Sequence, residues 1–596
     1  MPTSRSRRPG RPAPSAPNVA VSGLAGAAGS AAALARLDRA ALEIKTLRVR
    51  PALQAAVAAL KTDDAATAAR FALQALELDE QNGLAWHLLA IAREKAGAFA
   101  QSIQAYEKAL ALLPNAAEVA NDLGRLAYRM GMKPVAEKLF RRYLDHKPGS
   151  TEAANNIACA IRDQGRYDEA IEFLRPAILA KPDRPMLWNT MGTILSEQGD
   201  PDSAKTFFDE ALRLDPAFAK ARYNRGNARL ALGELDDALA DCDGAMASPL
   251  PASERQMMRL ARSTIQIARG AIGEGWDDYE ARIDPDFGDA TKFLVPRPRW
   301  TPGADLAGKT LLIMGEQGLG DEVLFANLIP DVVRALGPNG RLFIAVEKRL
   351  VPLFARAFPT AEIGPHSTFN VDGRLTRGAT FVGDLNAVDL WTPMGSLLRQ
   401  YRRTLDAFPA TGGFLPADPA RVAHWRGVLE AAPAGLKVGI LWKSLKLTGA
   451  RARYFSPFDA WAPVLTTPGV SFINLQYGDC SEELAAAEAA GISLWTPPGI
   501  DLKDDLDEVT ALTCALDLTI GFANATTNLA AAAGAPVWLI STPGAWPRLG
   551  TTRYPWYPQV EVFLPPQFRD WDPAMQAVAA ALGQRVKNGT EAIRAG

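Results

Sequence analysis

Three groups of residues in this chain have types and spacing suited to chemistry. The first is the glycine-rich turn Gly315-Glu316-Gln317-Gly318-Leu319-Gly320-Asp321-Glu322, directly after the apolar run Lys309–Met314. It matches neither the full dinucleotide fingerprint nor a Walker A loop, which needs Gly-Lys-Ser/Thr. Asp321 falls at the N-terminus of a helix predicted over Val323–Leu336. A carboxylate there is favoured by the helix dipole and can take a proton from a hydroxyl in an adjoining cleft. It would also serve as a plain N-terminal cap. The second group is the basic cluster Lys443, Lys446, Arg451 and Arg453, after the predicted strand Lys437–Trp442. Paired cations can neutralise a phosphate leaving group in place of a metal. A solvated basic loop is the alternative, and Gly449-Ala450 inside it fits that alternative. The third group is Asn524, Thr526, Thr527 and Asn528, whose amides and hydroxyls sit at another predicted helix N-terminus, where anions bind.

No metal or cofactor is expected. The four histidines form no HExxH arrangement, and Cys159, Cys242, Cys480 and Cys514 form no CxxC pair. Neither a zinc site nor a disulfide framework follows, and a reducing, cytoplasmic setting fits. Asp505-Leu506-Asp507 and Asp570-Trp571-Asp572 resemble a DxD metal motif. The first opens a predicted helix and the second adjoins the last one, so neither is assigned to metal.

These residues need a frame to bring them together, and beyond residue 308 the pattern is strand alternating with helix. Strands are predicted at Lys309–Met314, Arg341–Glu347 and Ala379–Leu385, then at Lys437–Trp442, Val470–Leu475, Ile492–Trp495, Leu516–Phe522 and Val537–Ser541. Two consecutive α/β series predict two Rossmann-like lobes facing a cleft, over 301–420 and 421–571, with a final helix at 572–596.

Upstream the chain repeats every 34 residues. Gly97, Gly131, Gly165, Gly199 and Gly233 keep that interval, as do Pro114, Pro148, Pro182 and Pro216, and Ala136, Ala170, Ala204 and Ala238. This is the helix–turn–helix period of tetratricopeptide repeats (TPRs). Each Gly ends a first helix in a left-handed cap, and the alanines let paired helices approach. About six repeats are expected over 49–252, the first with Asp63 where the Gly would stand. The fifth repeat position holds His87, Asn121, Asn155, Asn189 and Tyr223, with Asn224 beside the last. Asn is a weak helix former, so amides in register predict a concave groove that hydrogen-bonds a peptide; solvated polar positions are the alternative. Residues 253–300 read as a capping helical pair and linker, with Trp276 and Tyr279 on one helix face and Trp300 at the junction.

Residues 1–48 read as a disordered basic, Pro- and Ala-rich tail rather than a signal peptide, because the stretch after Pro17 lacks bulky apolar residues. A formal charge of -1 over 596 residues gives no general attraction to nucleic acid, and no apolar run is long enough for a bilayer.

Trp276–Arg282, Leu306–Leu312 and Glu316–Asp321, then Val438–Trp442, Leu475-Gln476, Pro536–Trp538 and Trp556–Pro558, occur in the order found in bacterial TPR-fused glycosyltransferases related to heptosyltransferases. The chain resembles that family from about residue 50 onward, and is most similar to its flagellin glycosyltransferases. The resemblance implies a TPR solenoid followed by a GT-B fold, and metal-independent, inverting transfer from a nucleotide-sugar held mainly by the second lobe. It also implies a CMP-linked nonulosonic acid of the pseudaminic type as donor and Ser/Thr of flagellin, gripped by the solenoid, as acceptor. Asp321 matches the family's general base, and Lys443 its basic residue near the donor phosphate. Gly318, Gly320 and Gln476 are expected beside the donor with Lys446, Arg451 and Arg453. Where the family carries Asp-Thr and a later His, this chain has Ala523, Asn524 and Asn528. A changed donor and a non-catalytic site both fit that departure, and retention of Asp321 and Lys443 favours the first. An NDP-sugar transferase acting on another protein or glycan, and a TPR adaptor without activity, are the rival readings.

Overall fold

The computed structural model describes residues 45, 47–371, 373–445 and 449–595. Most of the tail expected over 1–48, and Lys446, lie outside the described residues. The chain divides into two compact units, residues 1–153 and 154–596.

The first unit is helical. Residues 47–61 are helical and pair with Ala65–Leu78; Gly83–Lys95 with Phe99–Leu112 and Ala117–Arg129 with Lys133–His146 follow. The expected cap geometry is present, with φ of 76° at Gly97 and 79° at Gly131. Asp63 adopts φ 60° where the degenerate repeat lacks glycine. An aspartate tolerates that conformation better than a branched side chain would.

The second unit carries three more pairs: Thr151–Arg162 (begun just before the unit boundary) with Tyr167–Ala180, Pro185–Gln198 with Pro201–Leu214, and Ala219–Leu232 with Leu235–Met246. Ala170, Ala204 and Ala238 are fully buried at the helix crossings. A longer pair, Ala252–Arg269 and Ile272–Tyr279, closes the array. Trp276 is buried and packs edge-on against Trp546 and Trp556, at 6.0 and 6.2 Å between centroids, while its indole N–H donates to the Arg402 carbonyl (2.8 Å). The cap therefore docks on the α/β region rather than facing solvent. Trp300 lies in the same core.

The α/β region holds β1 (Lys292–Phe293), β2 (Thr310–Met314), β3 (Arg341–Val346), β4 (Glu362–Pro365), β5 (Ser367–Val371), β6 (Arg374–Gly378) and β7 (Leu390–Pro393). It continues with β8 (Leu436–Leu441), β9 (Val470–Asn474), β10 (Leu494–Trp495), β11 (Leu518–Phe522), β12 (Val537–Ile540) and β13 (Glu561–Phe563). One parallel sheet runs β4-β3-β2-β7, and a second runs β10-β9-β8-β11-β12-β13, also parallel throughout. Counted from its first strand, the second sheet has the 3-2-1-4-5-6 order of doubly wound sheets. A small sheet, β1-β6-β5, flanks the first lobe.

Two local expectations are corrected. The strand expected at Ala379–Leu385 is a turn region, and the pairing segments are β6 before it and β7 after it. β7 is four residues ending in Pro393, too short to show a period. The helix expected over Val323–Leu336 begins earlier and is broken: Leu319–Phe325, a 3₁₀ turn at Ala326–Leu328, then Ile329–Leu336. Pro330 cannot donate its backbone nitrogen to a continuing helix. Among the described residues no helix is long and apolar enough to cross a membrane.

Candidate functional site

The carboxyl ends of β2 and β11 each feed a short turn and then a helix N-terminus, and those two helices meet. From the first lobe comes Leu319–Phe325, capped by Gly318; from the second comes Ala525–Ala532, capped by Asn524. Asn528 Nδ2 donates to the Gly320 carbonyl (3.3 Å), and a Cβ on Gly320 would stand 3.4 Å from that same nitrogen. Ligands of open parallel sheets bind at such strand ends.

Asp321 is the third residue of its helix. Its Oδ2 accepts from the Gly318 N–H (3.2 Å). Burial pushes the carboxyl up to about 6 from its usual 3.8; the neighbouring charges of Glu316 and Glu322 add to this, while the Gly318 N–H and the Arg451 guanidinium oppose it. A carboxyl with that value is ionised at neutral pH yet basic enough to take a proton.

The turn under Asp321 is held by side chains that sequence reasoning did not single out. Glu316 forms a two-pronged pair with Arg282 (2.9 and 2.6 Å), both about 1% exposed, and also accepts from the Gly395 N–H (2.7 Å). Glu322 accepts from the Glu347 N–H (2.7 Å) and faces His366 Nε2 at 3.1 Å. Arg377 donates to the Gly315 carbonyl (2.6 Å) and the Gln317 carbonyl (3.2 Å). Gln317 sits at φ 61°, a strained value for a long side chain, and these braces hold it there. Arg282 and Glu316 both lay inside the quoted motifs; their pairing across 34 residues left no periodic trace.

The second-lobe residues separate into two sets. Arg451 is exposed and lines a cavity beyond β11 and β12. Asn524 is 8% exposed; its Oδ1 accepts from the Thr527 N–H (3.1 Å), and its Nδ2 is buried with no partner. Thr526 is buried. The others are spent on structure. Gln476 Oε1 accepts from the Trp442 and Lys443 N–H groups (3.1 and 2.9 Å), and its Nε2 donates to the Lys443 and Tyr477 carbonyls (3.1 and 2.9 Å). Lys443 Nζ is ion-paired with Glu483. Thr527 Oγ1 donates to the Phe522 carbonyl (2.8 Å), and Arg453 to the Ser196 carbonyl and hydroxyl (3.0 and 3.1 Å). Asp507 pairs with Arg356 (2.9 and 2.7 Å), Asp505 accepts from the Asp501 N–H (3.1 Å), and no described group of His, Cys, Asp or Glu could hold a metal ion.

The repeat-position amides also find partners within the protein. In the first unit His87 meets Asp122 (2.8 Å), and Asn121 donates to Glu152 (3.0 Å) while its own Oδ1 stays buried without a partner. In the second, Asn155 Nδ2 donates to Asn156 (3.3 Å) and its Oδ1 accepts from Thr190 (2.5 Å); Asn224 donates to Asn189 (2.9 Å), and Tyr223 is largely buried beside Asn227. The ladder therefore links successive repeats, and the burial of Asn121 and Asn189 explains why polar residues recur in register.

The tetratricopeptide-repeat family model matches residues 121–185 and 189–250. Among solved structures, a tetratricopeptide repeat protein from Parabacteroides merdae is 15% identical with a TM-score of 0.35, covering 39% of this chain and 91% of its own. MamA from Desulfovibrio magneticus is 16% identical with a TM-score of 0.27, covering 29% and 97%. Protein FlbA of Caulobacter vibrioides is 52% identical over 547 residues, 92% of either chain. That match spans repeats, cap and both α/β lobes alike, and the chain belongs to the FlbA family.

Proposed function

We propose that the protein is a GT-B glycosyltransferase that moves a sugar from a nucleotide donor to a hydroxyl of a protein held by its solenoid. The observation that carries this reading is the meeting of Asp321 on one lobe with the Asn524-capped helix on the other, through the Asn528–Gly320 hydrogen bond. In the proposed reaction Asp321 takes the proton from a Ser or Thr hydroxyl as its oxygen bonds to the anomeric carbon. The bond from that carbon to the donor phosphate breaks, and the electron pair leaves with the phosphate. Arg451, an exposed cation whose charge acts on Asp321, is the group proposed to meet that charge. A CMP-linked nonulosonic acid is the favoured donor, because Ala523 and Asn524 put no carboxylate beside a donor that carries its own. Flagellin is the favoured acceptor, on the resemblance to flagellin glycosyltransferases.

Purified full chain, CMP-nonulosonate and flagellin, followed by intact mass, test this directly. Product is expected with the wild type and none with Asp321→Ala, while solenoid binding to flagellin persists. Transfer by Asp321→Ala at the wild-type rate overturns the base assignment. A nucleotide-responsive adaptor without transfer is the second reading, favoured by the pairing of Lys443 with Glu483. Product formation with the wild type eliminates it.

A further inference from the structure

Beyond the carboxyl ends of β11 and β12 lies a cavity of about 290 Å³, and its lining comes from more than the second lobe. Phe522, Ser541, Thr542 and Arg451 form part of it, and Leu230 and Thr264 close it from the solenoid, on helices Ala219–Leu232 and Ala252–Arg269. We propose that the solenoid builds one wall of the nucleotide pocket, so that Leu230 and Thr264 contact the donor's nucleoside and help to select it. This rests on the transferase reading above.

The chemistry of the lining points to a nucleotide. Ser541 and Thr542, 6% and 5% exposed, put hydroxyl-bearing side chains on the cavity wall. Hydroxyls on a cavity wall can donate to and accept from the ring heteroatoms and ribose of a ligand. Phe522 and Trp546 add aromatic surface to the lining beside which a base can pack, and Arg451 offers a cation to a phosphate. The volume sits at the lower edge of small-molecule pockets, roughly 300–1,000 Å³. It suits a nucleoside, leaving the sugar to extend outward.

The solenoid wall is fixed, not loosely apposed. A Cβ on Gly544 would lie 1.8 Å from the Leu230 carbonyl oxygen, so the two backbones touch. At Gly550 a Cβ would come within 2.8 Å of the Gly270 backbone, and Gly270 itself holds φ 96°. Arg569 donates to the Gly199 carbonyl (2.9 Å), and Arg453 ties the lobe to Ser196. The solenoid then has a part in donor binding besides any capture of acceptor.

Titration of CMP into the full chain by calorimetry tests this, with Thr264→Trp and Leu230→Trp filling the cavity from the solenoid side. Thr264→Cys adds a nearly isosteric probe, labelled with N-ethylmaleimide and read at its own peptide by mass spectrometry. CMP affinity should fall at least about tenfold in the Trp variants, and saturating CMP should slow labelling of the introduced thiol severalfold. Wild type that binds CMP while the Trp variants bind equally well and the thiol is unprotected overturns the solenoid wall and leaves the transferase reading standing. Should the Trp variants fail to fold, thiol protection alone decides. Wild type that binds none of CMP, UDP, ADP or GDP removes the transferase reading and this inference with it.

Discussion

Asp321→Asn should stabilise the protein while abolishing its proposed activity. The carboxyl is pushed from 3.8 to about 6, so the folded state holds a proton there that the unfolded chain releases. The group therefore disfavours folding above about pH 6, and the penalty fades as pH falls through 6 towards 3.8. A difference of that size corresponds to roughly 3 kcal/mol at neutral pH. Solvent reaches the carboxyl's outer edge and reduces this, giving about 1–3 kcal/mol. An amide oxygen can still accept from the Gly318 N–H, which keeps the cap without the charge. Urea unfolding of wild type and Asp321→Asn at pH 7.5 and pH 5 provides the assay. The variant should be more stable at pH 7.5, and the gap should narrow at pH 5. A variant less stable at pH 7.5, or a gap that does not change between the two pH values, would refute the claim that burial dominates this carboxyl.

Three further outcomes follow from the same geometry. If Asp321 is the base, transfer rate should rise with pH through about 6 and then level, and Arg451→Ala, which removes a charge that holds the carboxyl down, should move that limb to higher pH; a profile flat from pH 5 to 8 would exclude the assignment. Arg282→Leu should cost about 3–5 kcal/mol by stranding Glu316, and adding Glu316→Leu should recover much of it; denaturant midpoints of both variants check this, and an equally unstable double variant would assign the loss to packing instead. Gly544→Ala should force solenoid and second lobe apart at Leu230, costing about 1–3 kcal/mol and weakening CMP binding; unchanged melting and affinity would show that the contact yields freely.

The solenoid was legible before any coordinates, because a 34-residue period records a local demand repeated many times: left-handed caps at Gly97 to Gly233, and small residues where helices cross. The principal strands of both lobes were legible for a similar reason, as buried parallel strands must be continuously apolar. β7 and β13, of four and three residues, were too short to carry a pattern. Asp321 could be placed at a helix start from Gly318-Leu319-Gly320 alone, since cap chemistry is local.

What the sequence could not convey was which polar groups are already in use. Gln476 is consumed by the backbone around Lys443, Lys443 by Glu483, Arg453 by Ser196, and Asn189 by Asn224. In one dimension each looked as available as Asn524, whose Nδ2 does remain unpartnered. Hydrogen bonds join residues by position in space, across separations such as 33, 40 and 257 residues, and no spacing rule encodes them. The same holds for Leu230 and Thr264, which read as repeat and cap residues until the fold sets them against Ser541 and Thr542. Repetition and local cap geometry are written along the chain, whereas the partner of each buried charge, and the wall of each cavity, exist only once distant segments have packed.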